Sequence, residues 1–452
     1  MIVCKFGGTS VGDADAISRL IDIVSGRLDR RPVVVVSAMS GTTNALLALA
    51  EQAARGQLIG ALRGVEAIRE RHLAQGNALL GAGDLADEVC EDLSAMCDEL
   101  ASLAEALSVL GDLTPRSLDA IAAYGEKLSS HLVVAAMRAS GLPADHVDAT
   151  EVVRTDARFT QAEPQQEAIA EAAQRVVRPI VDSGRVAVMG GFIGSSPQGV
   201  VTTLGRGGSD YSASLVGAAL QAGAIEIWTD VDGMLTADPR IVNGARVIDH
   251  IRFDEASELA SFGAKVLHPY TIAPAVRLGI PVFIFNSRRP EGTGTRITSD
   301  APRRVVSAVA GKKNVTVVKV RTPRMLLAHG FLRTIFEVFD RHRVSADVVA
   351  TSEVSVSVTV DDASNLECIL SDLAHLGDVS VERERGIVAL VGSGLSDSAE
   401  AMGRALSALA NVRVQMVSLS ASGINLTIVV DGDQVTEAMK LLHAAFFGEA
   451  AA

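Results

Sequence analysis

The chain has 452 residues, which at about 150 residues per domain means roughly three domains. Hydrophobic residues make up 48%, enough for several cores, but aromatics at 4% leave most of the packing to Ala, Val and Leu. A formal net charge of −13 excludes the basic field of a nucleic-acid binder, although a few local cations can still hold a small anion. No run approaches the roughly 18 to 20 apolar residues of a spanning helix. The opening MIVCKFGG is too short for the core of a secretion signal. The four cysteines (Cys4, Cys90, Cys97 and Cys368) contain no CxxC pair, which argues against a disulfide framework or a zinc site. The expectation is a soluble globular protein of the cytoplasm.

A short strand, Ile2–Phe6, leads into a glycine loop and a helical pattern from about Asp13. The run VVVV at Pro32–Val36 predicts a strand buried on both faces. From about Thr43 to Leu110 the sequence is rich in Ala, Leu and Glu at helical spacing, a helical excursion without strand signals. Strands are expected again near 186–189, 200–203, 226–229 and 281–285, each with a glycine-containing loop and a helix after it. Strand, glycine loop and helix in repetition predict an α/β fold with a mostly parallel sheet between helical layers.

The texture changes after about Asp300. Segments 343–361 and 411–430 look alike at an offset of 68 positions, each after a short amphipathic helix and each ending in an alternating strand. Ile335, Val338 and Phe339 mark the first helix, and Met402, Leu406 and Leu409 the second. Further strands are expected at 315–320 and 386–391. Two small α+β modules in tandem follow from this pattern.

Four clusters carry candidate chemistry. Lys5-Phe6-Gly7-Gly8-Thr9-Ser10 joins a strand to a helix at the carboxyl edge of a parallel sheet, where backbone N–H groups favour anions. It lacks the P-loop pattern, and a plain tight turn is the competing reading. Gly205-Arg206-Gly207-Gly208-Ser209-Asp210 places a rigid guanidinium among glycines, suited to gripping a carboxylate or phosphate; a capped turn, with Asp210 as the cap, competes. Asp230, Asp232 and Asp238 stand in Asp-Gly and Asp-Pro contexts, read as turns rather than metal ligands. Phe262-Gly263-Ala264-Lys265-Val266-Leu267-His268-Pro269 sets a lysine beside a glycine after a helix, with His268 read as structural.

KFGGTSVG, VVVVSAMSGTTNALL, AYGEKLSS, GGFIG, TTLGRGGSDYSA, WTDVDGM, TADPR, FGAKVLHP and ATSEVSVSVT occur here in the order found in aspartate kinases. Over nearly its whole length the chain resembles that family, most of all its monofunctional, lysine-sensitive type. The resemblance implies an amino-acid-kinase catalytic domain over 1–300 followed by two α+β ACT modules. One is nested in the other: an inner ACT module over 314–386, and a second made of 301–313 and 387–452. With Ala452 as the last residue, the expectation is the monofunctional form, without the homoserine dehydrogenase domain fused onto some relatives.

The implied reaction is transfer of the γ-phosphoryl group of ATP to the β-carboxylate of L-aspartate, with Mg²⁺ carried on the nucleotide. It would open the route to lysine, threonine and methionine. A carboxylate with a pKa near 4 is already ionised at neutral pH, so the acceptor needs no general base. The difficulty is bringing two anions together in line, which calls for lysines, loop N–H groups and magnesium.

By resemblance, Lys5, Asp210 and Lys265 are catalytic. Ser37, Thr43, Glu126, Phe192, Arg206 and Ser209 bind aspartate, Arg206 through the α-carboxylate and Glu126 through the ammonium group. Lys5, Gly7, Gly8, Thr229, Asp230, Leu235, Arg240, Lys265 and Val266 bind the nucleotide; relatives often carry tyrosine where this chain has Leu235. Met325, Ser345, Asp347, Thr351, Ser352 and Glu353 would hold an amino-acid effector, with L-lysine favoured because Asp347 suits a cationic side chain. The stretch around Leu327 and Ala328 departs from the lysine-sensitive pattern. A homodimer, or a dimer of dimers, through the ACT modules is expected. Two alternatives compete: another amino-acid carboxylate kinase of the same fold, and a catalytically silent ACT-type amino-acid sensor.

Overall fold

A computed structural model describes residues 1–262, 269–326, 329–361 and 364–448. The chain forms two compact units, Met1–Met234 with Val266–Asp300, and Leu235–Lys265 with Ala301–Ala452. In chain order the first unit holds β1 (Ile2–Phe6), α1 (Ala14–Ser25), β2 (Pro32–Val36), α2 (Thr42–Ala54), α3 (Leu58–Leu80) and α4 (Asp84–Leu110). Then come α5 (Pro115–Ala122), α6 (Tyr124–Ala139), β3 (Ala144–Val147), α7 (Ala149–Val152), α8 (Gln166–Asp182) and β4 (Val186–Gly190). After these lie β5 (Ile193–Ser195), β6 (Val201–Thr203), α9 (Gly208–Ala219) and β7 (Ala224–Thr229). β8 (His250–Arg252) and α10 (Phe253–Ser261) belong to the second unit, and the first resumes with α11 (Ala273–Arg277), β9 (Val282–Asn286) and β10 (Thr295–Thr298).

The strand order β3-β4-β2-β1-β7-β9 is parallel at every pairing, and β10 adds antiparallel to β9. All five residues of β1 and of β2 are buried, as expected of strands covered on both faces. Phe6, Ile17, Leu20, Met137 and Trp228 belong to the core on this sheet. A buried carboxylate sits within it: Glu226 accepts hydrogen bonds from Arg27 (2.6 Å), Arg30 (2.6 Å) and the Trp228 indole (3.2 Å). A charge this deep is tolerated because both oxygens are matched by guanidinium groups. The helical excursion forms α2 to α4, whose own core of Leu46, Leu49, Leu93 and Leu100 includes Leu128 of α6 and so joins the sheet layer. The edge strand β3 was not expected: its ADHV has neither a β-branched run nor alternation.

The second unit continues with β11 (Ala308–Arg321), α12 (Phe331–Arg341), β12 (Val349–Thr351), β13 (Ser355–Val360) and α13 (Leu366–Ala374). It ends with β14 (Asp378–Val391), α14 (Ala399–Ala408), β15 (Val414–Leu419), β16 (Asn425–Asp431) and α15 (Val435–Phe447). Its sheet is antiparallel, in the order β12-β13-β11-β14-β16-β15. The strands expected at 315–320 and 386–391 are each one half of a longer strand, β11 or β14. The first half of β11 pairs only with β14, and the second half also with β13. Register shifts between Lys312 and Val317 mark the join. Ile335, Val338 and Phe339 are buried as expected, but Leu406 is 44% exposed and the inward face of α14 is Ala401, Ala405 and Leu409.

Residues 235–262, read from sequence as part of the N-terminal domain, pack within this second unit. Val309 N–H donates to Thr236 O (2.8 Å), and buried Glu255 accepts from Ser307 Oγ (3.0 Å) and Ser393 N–H (2.7 Å). Among the described residues no helix is long and apolar enough to cross a membrane.

Candidate active site

The carboxyl ends of β1, β2, β4 and β7 lie side by side, and the loops leaving them interlock. Gly7 N–H donates to Trp228 O at the end of β7 (3.0 Å), Ser37 N–H to Phe6 O (3.0 Å) and Gly191 N–H to Val36 O (2.8 Å). A side chain at Gly8 would lie 3.0 Å from Ala38 O. The expected glycine is thus required by close backbone approach, whatever its other duties.

Lys5 is 8% exposed, and its Nζ stands 2.6 Å from Asp210 Oδ1. β1 carries the lysine and the first turn of α9 the aspartate, so two motifs 205 positions apart meet in one ion pair (210 − 5). Ser209 is buried beside Gly191, whose close approach leaves no room for a Cβ. Phe192 holds a left-handed backbone (φ 64), with its N–H donated to Ser212 Oγ (2.9 Å) and its ring against Gly208. Gly208 and Gly191 are the reason that turn can seat on the start of α9.

Glu126, on the first turn of α6, is 3% exposed. Burial pushes its carboxyl up to about 8, against the lowering pull of the Ala38 and Glu126 backbone N–H groups and the Lys5 charge. Its Oε2 has no hydrogen-bond partner. Room for it comes from Gly190, where a Cβ would lie 3.0 Å from Glu126 Cβ. Ser37 is half-buried at the end of β2, and Thr43 is half-buried in the first turn of α2. A buried acid with an unmatched oxygen, next to a lysine, is suited to receiving an ammonium ion.

Arg206 stands exposed between Gly205 (φ 75) and Gly207 (φ 70), both left-handed. Two residues that sequence reasoning missed support this neighbourhood. Asp119 of α5, 1% exposed, accepts from Thr203 Oγ1 (2.6 Å), Thr203 N–H (3.0 Å) and Thr160 N–H (2.9 Å). It thereby fixes the strand end from which the Arg206 loop departs. Ser129 of α6 donates to Ser37 O (2.8 Å). Asp119 belongs to no motif, and Ser129 stands in AYGEKLSS without a sign of its role; both act on backbone groups far along the chain, so no local signal marked what either does.

At the end of β7, Thr229 Oγ1 donates to Asp230 Oδ1 (3.3 Å), and Thr229 O accepts from Ser287 N–H (2.8 Å). Asp232 is held by Asn286 (2.7 Å) and Arg289 (2.6 Å), a turn fastening of the kind the sequence reading favoured. In the second unit, Asp238 binds Arg240 (2.6 Å), which is otherwise exposed, and Leu235 bridges to Val247. Lys265, Val266 and His268 lie outside the described residues.

The effector candidates fall between β11 and β13 of the second unit. Asp347 is engaged by Lys312 Nζ (3.0 Å), which also binds Asp361 (2.6 Å), and burial raises the Asp347 carboxyl. Ser352 Oγ lies 2.7 Å from Ser355 Oγ. Ser345, Thr351 and Glu353 are exposed, and Met325 is half-buried.

The model of the amino acid kinase family matches residues 1–286, and an ACT domain model matches 388–446. The chain is 38% identical to lysine-sensitive aspartokinase 3 of Escherichia coli, over 99% of both proteins. It is 35% identical to chloroplastic aspartokinase 3 of Arabidopsis thaliana, over 98% of this chain and 81% of that one. The crystal structure of E. coli aspartokinase III in complex with aspartate and ADP superposes with a TM-score of 0.86, covering 99% of this chain and 100% of that one at 38% identity. With matches of this length and identity, the chain belongs to the aspartokinase family, as an ATP-dependent aspartate kinase with a regulatory ACT tail.

Proposed function

We propose that the interlocked loops at the carboxyl edge perform the phosphoryl transfer, and that the observation carrying this assignment is the Lys5–Asp210 ion pair beside buried Glu126. In this reading Lys5 and the Gly7–Gly8 backbone receive the transferring phosphate, and Asp210 holds Lys5 toward it. Glu126 takes the aspartate ammonium and Arg206 its α-carboxylate, while Ser37, Thr43, Phe192 and Ser209 shape the rest of that subsite. Thr229, Asp230, Leu235, Arg240, Lys265 and Val266 are assigned to the nucleotide on resemblance. Mg²⁺ arrives on the phosphates, as suits an ion that keeps several waters. The protein supplies positioning and charge, with no covalent intermediate on a side chain.

The direct test is formation of a hydroxamate from ATP, Mg²⁺ and aspartate in hydroxylamine, with glutamate and acceptor-free controls. Product from glutamate alone would overturn the substrate assignment.

The raised Glu126 carboxyl has a pH consequence. In the empty site it stays protonated below about pH 8, whereas an ammonium ligand requires the carboxylate. Aspartate binding therefore releases a proton, and KM for aspartate should fall by up to about tenfold per pH unit between pH 6 and 7.5, levelling off above 8. Glu126→Gln should raise KM and flatten this profile. The folded carboxyl titrates above its ordinary value, so the folded state binds the extra proton and stability falls as pH rises toward 8. The same variant should accordingly melt at a higher temperature than the parent at pH 8.

Regulation is assigned to L-lysine, and supporting it is the E. coli relative, whose structure is described in complex with lysine and aspartate. Asp347 already holds one ammonium, that of Lys312, so its surroundings accommodate a lysine side chain. The assembly we infer is a homodimer or dimer of dimers through the ACT modules, working in the cytoplasm. Inhibition then biases two states of the assembly. Lysine, and not threonine or methionine, should lower the initial rate at subsaturating aspartate. Asp347→Ala or Thr351→Ile should relieve this while leaving the uninhibited kcat within a few-fold. The fold should tolerate Asp347→Ala because Lys312 keeps Asp361. Inhibition by threonine alone would refute the lysine assignment.

A further inference from the structure

The loop after β1 and the loop after β2 are fastened from outside by one side chain of the helical excursion. Arg71, in the middle of α3, donates from NH1 to Ser40 O (2.6 Å) and from NH2 to Gly12 O (3.0 Å). The two loops also meet directly, through Ser40 N–H to Gly8 O (3.1 Å). A Cβ at Gly12 would stand 3.3 Å from Gly8 O within its own loop and 3.7 Å from Ser40 Cβ, so the two loops pass in van der Waals reach of each other. Among the described residues Arg71 pairs with no carboxylate, so its planar fork is committed to two backbone carbonyls. One turn further on, Gln75 Oε1 accepts the Ala14 N–H (2.8 Å) and fastens the start of α1.

This geometry has a directional effect. In a trans peptide the C=O and the following N–H point opposite ways. Drawing Ser40 O toward Arg71 therefore aims the Gly41 N–H away from it, at the start of α2, where Gly41 is left-handed (φ 83). The Gly12 carbonyl, drawn to the same group, fixes where the first loop turns into α1. One guanidinium thus sets both the separation of the loops and the orientation of a peptide in the second.

We infer that Arg71 is a positioning residue for phosphoryl transfer, holding the phosphate-side loop (Gly7–Gly12) and the acceptor-side loop (Ser37–Gly41) at reacting separation. The inference rests on the loop assignments proposed above. Each loop keeps its own contacts to its own substrate when Arg71 is lost, but their mutual spacing then rests on the direct Ser40–Gly8 and Ser37–Phe6 backbone hydrogen bonds alone. Misplacement of reacting groups by about 1 Å can cost on the order of a hundredfold in rate. The expected signature is therefore a fall in kcat with little change in either KM.

The experiment compares the parent enzyme with Arg71→Ala, Arg71→Lys and Gln75→Ala in the hydroxamate assay at saturating ATP and aspartate, with both KM values, melting temperatures and the fraction of protein binding ADP. Parent activity with aspartate secures the underlying reading independently. Arg71→Ala should lower kcat per ADP-binding molecule by about ten- to a hundredfold with both KM values within threefold. Free guanidinium at millimolar concentration should recover part of the loss. Arg71→Lys, which keeps the charge but not the fork, should remain at least several-fold impaired. Gln75→Ala, lacking a contact only with α1, should stay within twofold in kcat. An Arg71→Ala kcat within twofold of the parent would overturn the proposal. So would a loss confined to KM, or an Arg71→Lys enzyme equal to the parent, which would leave charge alone as the role. If Arg71→Ala fails to fold, the Arg71→Lys comparison decides.

Discussion

Replacing Lys5 with alanine is expected to lower kcat by a hundredfold or more, with folding retained. Two effects add. The ammonium is removed from where negative charge must be gathered as the phosphoryl group moves, a loss of preorganised stabilisation for which a hundredfold corresponds to about 2.7 kcal/mol. The change also leaves the Asp210 carboxylate, now without its partner at 2.6 Å, as a largely buried negative charge facing two anionic substrates. That second effect separates the variants: Asp210→Asn should be less impaired than Lys5→Ala, because it keeps the lysine and removes a repelling charge. The double variant Lys5→Ala with Asp210→Asn should recover part of the Lys5→Ala loss. Initial rates of hydroxamate formation with both substrates saturating provide the check, alongside circular dichroism to show that the sheet is intact. A Lys5→Ala enzyme within fivefold of the parent would mean that this lysine only fastens α9 to β1.

Arg206→Ala is expected to raise KM for aspartate by about ten- to a hundredfold while changing kcat far less. In the role proposed for it, Arg206 would grip the α-carboxylate in both the ground and the transition state, so losing it weakens binding without selecting against the reaction step. A charged hydrogen-bonded contact of this kind contributes about 1.5 to 3 kcal/mol. The fold itself should be indifferent, because Arg206 is exposed, and the two left-handed glycines beside it hold the loop by backbone conformation. Arg206→Lys should recover only part of the affinity, since an ammonium cannot grip both oxygens in the plane of the fork. KM for ATP should stay within twofold; a shift in KM for ATP of the same size as that for aspartate would place the arginine on the phosphates instead.

Much of this architecture was legible because its signals are local. The VVVV run of β2, the glycine loop after β1 and the helical spacing from 43 to 110 each report on a few neighbouring residues. Their physical causes are burial on both faces, close backbone approach and helix periodicity, and all act within one element. Resemblance then assembled those pieces into an aspartate kinase with a tandem ACT tail. Local signals failed where an element is short, as in β3, or where one strand serves two modules. Of β11 and β14 the sequence signalled one half each, 315–320 and 386–391, and the antiparallel pairing across the sheet extends each into a single long strand.

The sequence by itself determined which chemical groups are present and in what order: Lys5 before its glycines, Arg206 between its own, Glu126 in the first turn of a helix. It could not determine the state of those groups, because that depends on neighbours brought from far along the chain. Glu126 reads as an ordinary helix carboxylate until burial against Ala38 and Gly190 removes the water that would ionise it. Asp347 reads as a solvated loop charge until β11 delivers Lys312 to it. Asp119 and Arg71 carry no motif, and Ser129 sits in AYGEKLSS without a sign of what it does. Each acts through a hydrogen bond with a backbone group distant in sequence, Asp119 as acceptor and Ser129 and Arg71 as donors, and only tertiary structure decides which backbone groups come within reach.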